Sequence, residues 1–287
     1  MVKNYLSLVK FGHTVFAMPF ALIGFSLAFA GTQYQFSVRL LILVVLCMIF
    51  ARNAAMGFNR VADRKFDALN PRTRSREIPA GIINTRSATI FVIINSVLFI
   101  ITTSLINRLT LYLSPVALVV VLGYSLTKRF TSISHLLLGL GLSLAPVGAY
   151  ISVTGKFQLL PVIYSLVVLT WVGGFDIIYS LQDDEFDRNN KLHSIPSSAG
   201  RSKAIIISSL LHALSFLLVI IAGLIGRGEL IYWIGAGVFT MLLIYQHLLV
   251  RPHDLSKVNM AFATTNGIAS IIFAVFTILD LYIRYRK

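Results

Sequence analysis

Long apolar runs separated by short polar connections set the pattern of this chain. Nine runs are long enough to cross a bilayer, at about 20 apolar residues per crossing: about 11–31, 40–58, 87–106, 109–127, 133–153, 157–180, 204–225, 230–250 and 258–283. Backbone inside lipid must satisfy its own hydrogen bonds, and no alternating ten-residue pattern marks a barrel. The pattern therefore predicts an all-α integral membrane fold, a nine-transmembrane-helix bundle. Its connections are short and carry no Ser/Gly-rich linker, so residues 1–287 read as a single transmembrane domain. Pro19, Pro115 and Pro146, in or near runs, read as kinks that neighbouring helices tolerate. Lys3 and Lys10 precede the first run, but no short apolar core with a small-residue cleavage site follows, so no signal peptide is expected.

The polar interruptions are not alike. After the run 40–58 comes Asn59 to Gly81, in which Asn59, Asp63 and Asp67 recur every four residues and share one face if the helix continues. Further on the pattern returns: Asp-Arg-Lys-Phe-Asp-Ala-Leu-Asn at 63–70 is echoed by Asp-Asp-Glu-Phe-Asp-Arg-Asn-Asn at 183–190. The exits match as well, Ile78-Pro79-Ala80-Gly81 against Ile195-Pro196-Ser197-Ser198-Ala199-Gly200. An internal repeat of this kind points to two copies of one unit facing a shared site. Four runs separate the copies, which puts both on the same side of the membrane. Eight of the 11 acidic residues lie in or beside these segments.

Composition sharpens this picture. The chain is 56% hydrophobic and 13% charged, with a mean hydropathy of +0.81, outside the usual range of soluble domains. A net charge of +14 would suggest nucleic acid in a soluble protein, but here the positive-inside rule accounts for it and no nucleic-acid partner is expected. With the N-terminus cytoplasmic, 17 of the 25 basic residues fall on the cytoplasmic side, against seven opposite and Arg52 within a run. Both Asp-rich motifs are then cytoplasmic, and the expected location is the cytoplasmic (inner) membrane. The single cysteine, Cys47, excludes an intrachain disulfide and a Cys-rich metal centre.

Paired carboxylates at four-residue spacing, doubled across a bundle, suit a hard cation such as Mg²⁺, which also takes oxygens from bound phosphate. The bland alternative is a solvated face salt-bridged to its own arginines. Arg60, Arg72, Arg74, Arg76, Lys128, Arg129 and Lys191 are interleaved with the motifs and can offset phosphate charge. Arg52 lies inside a run, seven residues before Asn59 on the same helix face, and Asp176 stands seven before Asp183 with Tyr179 between them. A buried charge needs a partner or water, so these two either reach a substrate deeper than the carboxylates or pair across the bundle. Tyr124, Tyr150 and Tyr179 can present ring faces to a cation. The six histidines form no metal-binding spacing and read as structural, His13 being the one singled out for testing. Hydrolase, nucleotidase and dinucleotide motifs are absent from any credible context.

These residues carry a family likeness. Asn59 through Asp67, with Asn70-Pro71-Arg72 and Arg76 through Gly81, resembles the first signature of the UbiA superfamily of intramembrane aromatic prenyltransferases, in the form of its 4-hydroxybenzoate polyprenyltransferase-like branch. Asp176 through Asp187 with Lys191 resembles the second signature, and Gly123-Tyr124 through Lys128-Arg129 a third segment. The resemblance implies transfer of a polyprenyl group from its diphosphate to an aromatic acid in ubiquinone or menaquinone biosynthesis. It implies Mg²⁺ held by Asn59, Asp63, Asp183 and Asp187, catalytic roles for Asp63, Asp67, Asp183 and Asp187, and substrate contacts from Arg52, Arg72, Tyr124, Lys128, Arg129, Asp176, Tyr179 and Lys191. Where relatives often carry arginine near the first run, this chain has Lys10 and His13, which stand as further candidates for the acceptor carboxylate. The acceptor is expected to be 4-hydroxybenzoate, with 1,4-dihydroxy-6-naphthoate as the alternative. The reading from another class is a secondary transporter, whose folds also show repeats and buried charges.

Overall fold

A computed structural model of the chain describes residues 2–9, 16–30 and 32–286. It is all-helical: among the described residues there is no strand, only an isolated bridge between Arg251 and Asp254. The helices are α1 (Val2–Leu8), α2 (Met18–Leu27), α3 (Val38–Leu69), α4 (Thr85–Ser104), α5 (Arg108–Thr127), α6 (Ser134–Thr154), α7 (Leu159–Ser180), α8 (Asp184–Asn189), α9 (Ile195–Ala199), α10 (Arg201–Ile225), α11 (Leu230–Leu249) and α12 (Asn266–Arg286). Eight helices among the described residues are long and apolar enough to cross a membrane. The first expected crossing, 11–31, shows only the ten-residue α2 within the described residues.

The helices close into a ring. Each of α3 to α7 packs on the next, α7 on α10, α11 on α12, and α12 returns to α2, which also packs on α6. Close approach between these helices depends on glycine. A Cβ on Gly139 of α6 would lie 2.5 Å from the backbone oxygen of Leu169 on α7, and one on Gly24 would collide with Pro146. The ring buries α7 most deeply: Trp171, fully buried, meets the rings of Phe20, Phe175 and Phe239, and its indole N–H donates to Asn266 at 2.9 Å. Outward faces stay apolar, as at Ile90, Ile93, Ile94, Val97 and Ile101 of α4, which suits them to lipid rather than water.

Two features position the site. The helix of the apolar run 40–58 continues unbroken to Leu69, the condition for Asn59, Asp63 and Asp67 to share a face, so α3 has 32 residues. At 1.5 Å per residue it is about 48 Å long, against a hydrocarbon core of about 30 Å, so one end extends past the apolar layer. That end carries Asn59, Asp63 and Asp67. The second motif is built differently: α7 tightens into a 3₁₀ turn at Leu181–Asp183 before α8 begins. The shared exits behave alike, since Gly81 and Gly200 both adopt positive φ, 72° and 84°, where a side chain would be strained.

Candidate active site

The extended end of α3 and the broken end of α7 face one another. Asn70 donates to Asp183 at 2.9 Å, and Arg72 reaches the same carboxylate with Nε at 2.9 Å and, through Nη2, its other oxygen. The Arg72 Nη1 also donates to the Tyr179 hydroxyl at 3.0 Å. Burial alone would lower the Arg72 pKa, but the hydrogen bond and negative charge of Asp183 outweigh it and hold the guanidinium above its ordinary range. Residues over a hundred positions apart thus form one cluster.

The cluster rims a cavity of about 260 Å³ lined by Arg52, Asn59, Arg60, Asp63, Asp67, Arg72, Arg76, Tyr124, Lys128, His135, Asp176, Tyr179, Asp183 and Asp187, among others. Charges at the rim are matched pair by pair. Asp63 takes Lys128 at 3.0 Å and Arg129 at 3.7 Å, and Asp67 takes Arg76 at 2.7 Å. Asn59 donates to Asp63 at 3.2 Å, as expected for the four-residue spacing on one helix. Asp187 is buried and lines the cavity together with Ser194. One wall is aromatic: Tyr179 stacks on Phe262 at 4.1 Å, and Phe16, Phe175 and Phe262 meet at 5.4–5.7 Å.

Among the described residues, no three carboxylate, imidazole or thiol groups already converge as a metal cage. The donor set nevertheless fits a hard divalent cation. Among the described residues Asp67 Oδ2 is buried without a hydrogen-bond partner, and Asp63 Oδ1 has none beyond the looser ion pair to Arg129 at 3.7 Å, an arrangement that is costly unless something completes it. The ligands available are carboxylate and amide oxygens, the set that suits Mg²⁺.

Below the rim, the pairing across the bundle that the sequence offered as one of two alternatives for Arg52 and Asp176 is not formed. Arg52 lines the cavity with its Nε buried and unpartnered, and it forms no ion pair with Asp176. Asp176 pairs with His135 instead, at 2.7 Å. His135 is thus a site residue that sequence reasoning left among the structural histidines. Its only sequence signal was a polar residue at the start of an apolar run, and its partner stands on another helix. Lys191 points away: it is exposed, has φ 55° and does not line the cavity. Arg129 also lies off the lining, though its guanidinium reaches Asp63 and the Ala62 carbonyl at 2.8 Å. Lys10 and His13 fall outside the described residues.

Comparison with known proteins bears on this cavity. A model of the UbiA prenyltransferase family matches residues 17–273. The 4-hydroxybenzoate octaprenyltransferase of Nitrosospira multiformis is 30% identical over 246 residues, covering 85% of this chain and 84% of that protein. The apo structure of a UbiA homolog from Aeropyrum pernix K1 superposes with a TM-score of 0.84 at 31% identity, over 93% of this chain and 98% of that one. A UbiA homolog from Archaeoglobus fulgidus, solved bound to DMAPP and Mg²⁺, shares the fold with a TM-score of 0.72 at 22% identity, over 98% of this chain and 99% of that one.

Proposed function

The chain belongs to the UbiA prenyltransferase family, and on that premise we propose that it transfers a polyprenyl group from polyprenyl diphosphate to an aromatic acid, with Mg²⁺ as cofactor. The observation that carries this is the meeting of both Asp-rich motifs, through Asn70 and Arg72, at one end of a cavity rich in arginine and lysine. The name of the Nitrosospira relative favours 4-hydroxybenzoate over the naphthoate. Membership leaves the transporter alternative without support.

Residue roles follow from position. Asn59, Asp63, Asp183 and Asp187 would hold Mg²⁺, with Asp67 beside them. Bound there, the ion supplies positive charge that offsets the departing diphosphate. Lys128, Arg72 and Arg76 now pair with the motif carboxylates and are placed to turn to phosphate oxygens, Arg72 with two donors. Arg52, without an ion pair among the described residues and two helical turns below Asn59, is placed to hold the acid's carboxylate about 10 Å deeper. Tyr124 lies within electrostatic reach of Arg52, Arg60 and Asp176 and completes that lower chamber. The wall of Phe16, Phe175, Tyr179 and Phe262 keeps water from the allylic cation, which would otherwise end as an alcohol. It also offers ring faces to the positive charge.

The topology proposed with this function is nine crossings in a single domain, the first built around α2. The cavity then opens to the cytoplasm, as the 17 basic residues assigned to that side favour. The deciding experiment gives purified protein a polyprenyl diphosphate with 4-hydroxybenzoate or 1,4-dihydroxy-6-naphthoate, and follows the prenylated acid by mass spectrometry. Transfer to 4-hydroxybenzoate is expected, falling at least about a hundredfold in EDTA and returning with Mg²⁺. Undiminished transfer in EDTA would remove the metal from the proposal, and no transfer to either acid would remove the acceptor class.

A further inference from the structure

Two groups on the cavity wall, His135 of α6 and Asp176 of α7, take no part in the rim of carboxylate and cation pairs. His135 is buried at 4% exposure, whereas the Asp176 side chain keeps 21% of its surface open. His135 Nδ1 lies 2.7 Å from Asp176 Oδ2, and the backbone N–H of Ile195 donates to His135 Nε2 at 3.3 Å. A backbone N–H cannot accept a hydrogen bond, so Nε2 presents its lone pair and Nδ1 carries the proton that Asp176 receives. The imidazole is held in one tautomer from both sides. Oδ2 of Asp176 is engaged, and among the described residues no donor reaches Oδ1. Seven residues separate Asp176 from Asp183, about 10 Å along the helix, the same depth at which Arg52 lies below Asn59.

We infer that Asp176 is the base that takes the proton released when the aromatic ring is substituted, and that His135 is a positioning residue that fixes its carboxylate. The inference rests on the prenyl-transfer reading. In the reaction the donor C–O bond breaks and its electron pair leaves with the diphosphate. A π pair of the ring then forms the new C–C bond to the allylic carbon. The C–H bond at the substituted ring carbon breaks last: its proton goes to Asp176 Oδ1, and its electron pair restores the aromatic system. Asp176 returns the proton to water as product leaves, so the cycle closes without oxidant or reductant. A neutral imidazole N–H suits this role because it orients the carboxylate without cancelling its charge, as an arginine partner would. Such a base contributes about 10²–10⁴-fold in comparable chemistry.

The test follows two products of one donor, the prenylated acid and the prenyl alcohol formed when water captures the cation. When proton removal is slow, the new C–C bond can revert and water takes a larger share. For Asp176→Asn the ratio of alcohol to prenylated acid is expected to rise at least about tenfold, and acceptor deuterated at the substituted ring positions is expected to show a primary isotope effect. His135→Leu should move the ratio the same way and lower kcat with little change in the donor KM. His135→Asn should restore much of it, because its amide N–H can occupy the place of Nδ1–H. If Asp176→Asn lowers alcohol and prenylated acid together at an unchanged ratio, or transfers as well as wild type, Asp176 is not the base. A His135→Asn variant no better than His135→Leu would overturn the positioning role. A wild type that makes no prenylated acid overturns this inference together with the proposed function.

Discussion

Asp183 and Asp184 are neighbours of one chemical type in opposite surroundings. Asp183 lines the cavity under Arg72 and Asn70, whereas Asp184 lies off the lining and takes a two-pronged pair from Arg201 at 2.8 Å on each oxygen, tying α8 to the start of α10. Asp183→Asn is therefore expected to lower kcat/KM about 10²–10³-fold, on top of any stability lost with its pairing to Arg72. Asp184→Asn should cost about 2 kcal/mol of stability, the scale of hydrogen bonds to a charged group, seen as a lower Tm in detergent at a largely retained kcat/KM. Equal kinetic effects from the two variants would mean that the cavity boundary is drawn wrongly. The same contrast explains what could be read from sequence at this scale. Asn59, Asp63 and Asp67 declare themselves by a four-residue period on one helix and by the repeat at 183–190. Lys191 groups with the second motif because it follows Asp187 closely in sequence, but its backbone is left-handed there and its side chain is exposed. His135 has neither period nor repeat, and its partnership with Asp176 exists only once α6 lies against α7.

That contact belongs to the helices rather than to the residues. Gly139 stands one turn after His135 on α6, where the backbone of Leu169 on α7 leaves no room for a side chain. Gly139→Val must push the two helices apart, at about 1–3 kcal/mol for an overpacked site. The expected outcome is a lower Tm together with a shift from prenylated acid toward prenyl alcohol, resembling His135→Leu. A fall in Tm with an unchanged product ratio would show that helix spacing does not set the Asp176 carboxylate. Apolar runs made the helices legible, but their ends were not. The helix through 40–58 gains a polar extension to Leu69 because its carboxylates find Lys128, Arg129 and Arg76 beyond the apolar layer. The run at 157–180 instead passes through a 3₁₀ turn into α8, a break that the sequence repeat concealed.

At the scale of the whole molecule the repeat decides most. Two motifs four crossings apart must return to one face, and the hydrogen bonds of Asn70 and Arg72 to Asp183 bring them together. Eight helices of crossing length stand among the described residues. The proposed topology adds a ninth crossing around α2, from the apolar run 11–31, and so takes a cytoplasmic N-terminus to an opposite C-terminus. Which side the cavity faces rests on charge: positive residues are retained on the cytoplasmic side of short loops, and the proposed nine-crossing topology assigns 17 of the 25 to the motif side. Single cysteines placed in a Cys47→Ala background test this in intact cells. Ser75 and Lys191 are exposed beside the two motifs, and Lys156 is exposed in the connection beyond the far end of α6. An impermeant thiol reagent is expected to label Lys156→Cys and to spare both Ser75→Cys and Lys191→Cys until the membrane is opened. Labelling of both motif positions with Lys156→Cys spared would invert the topology and leave the shared cavity standing. Labelling of one motif position alone would set the motifs on opposite sides, and no common site for a metal and a diphosphate could then exist.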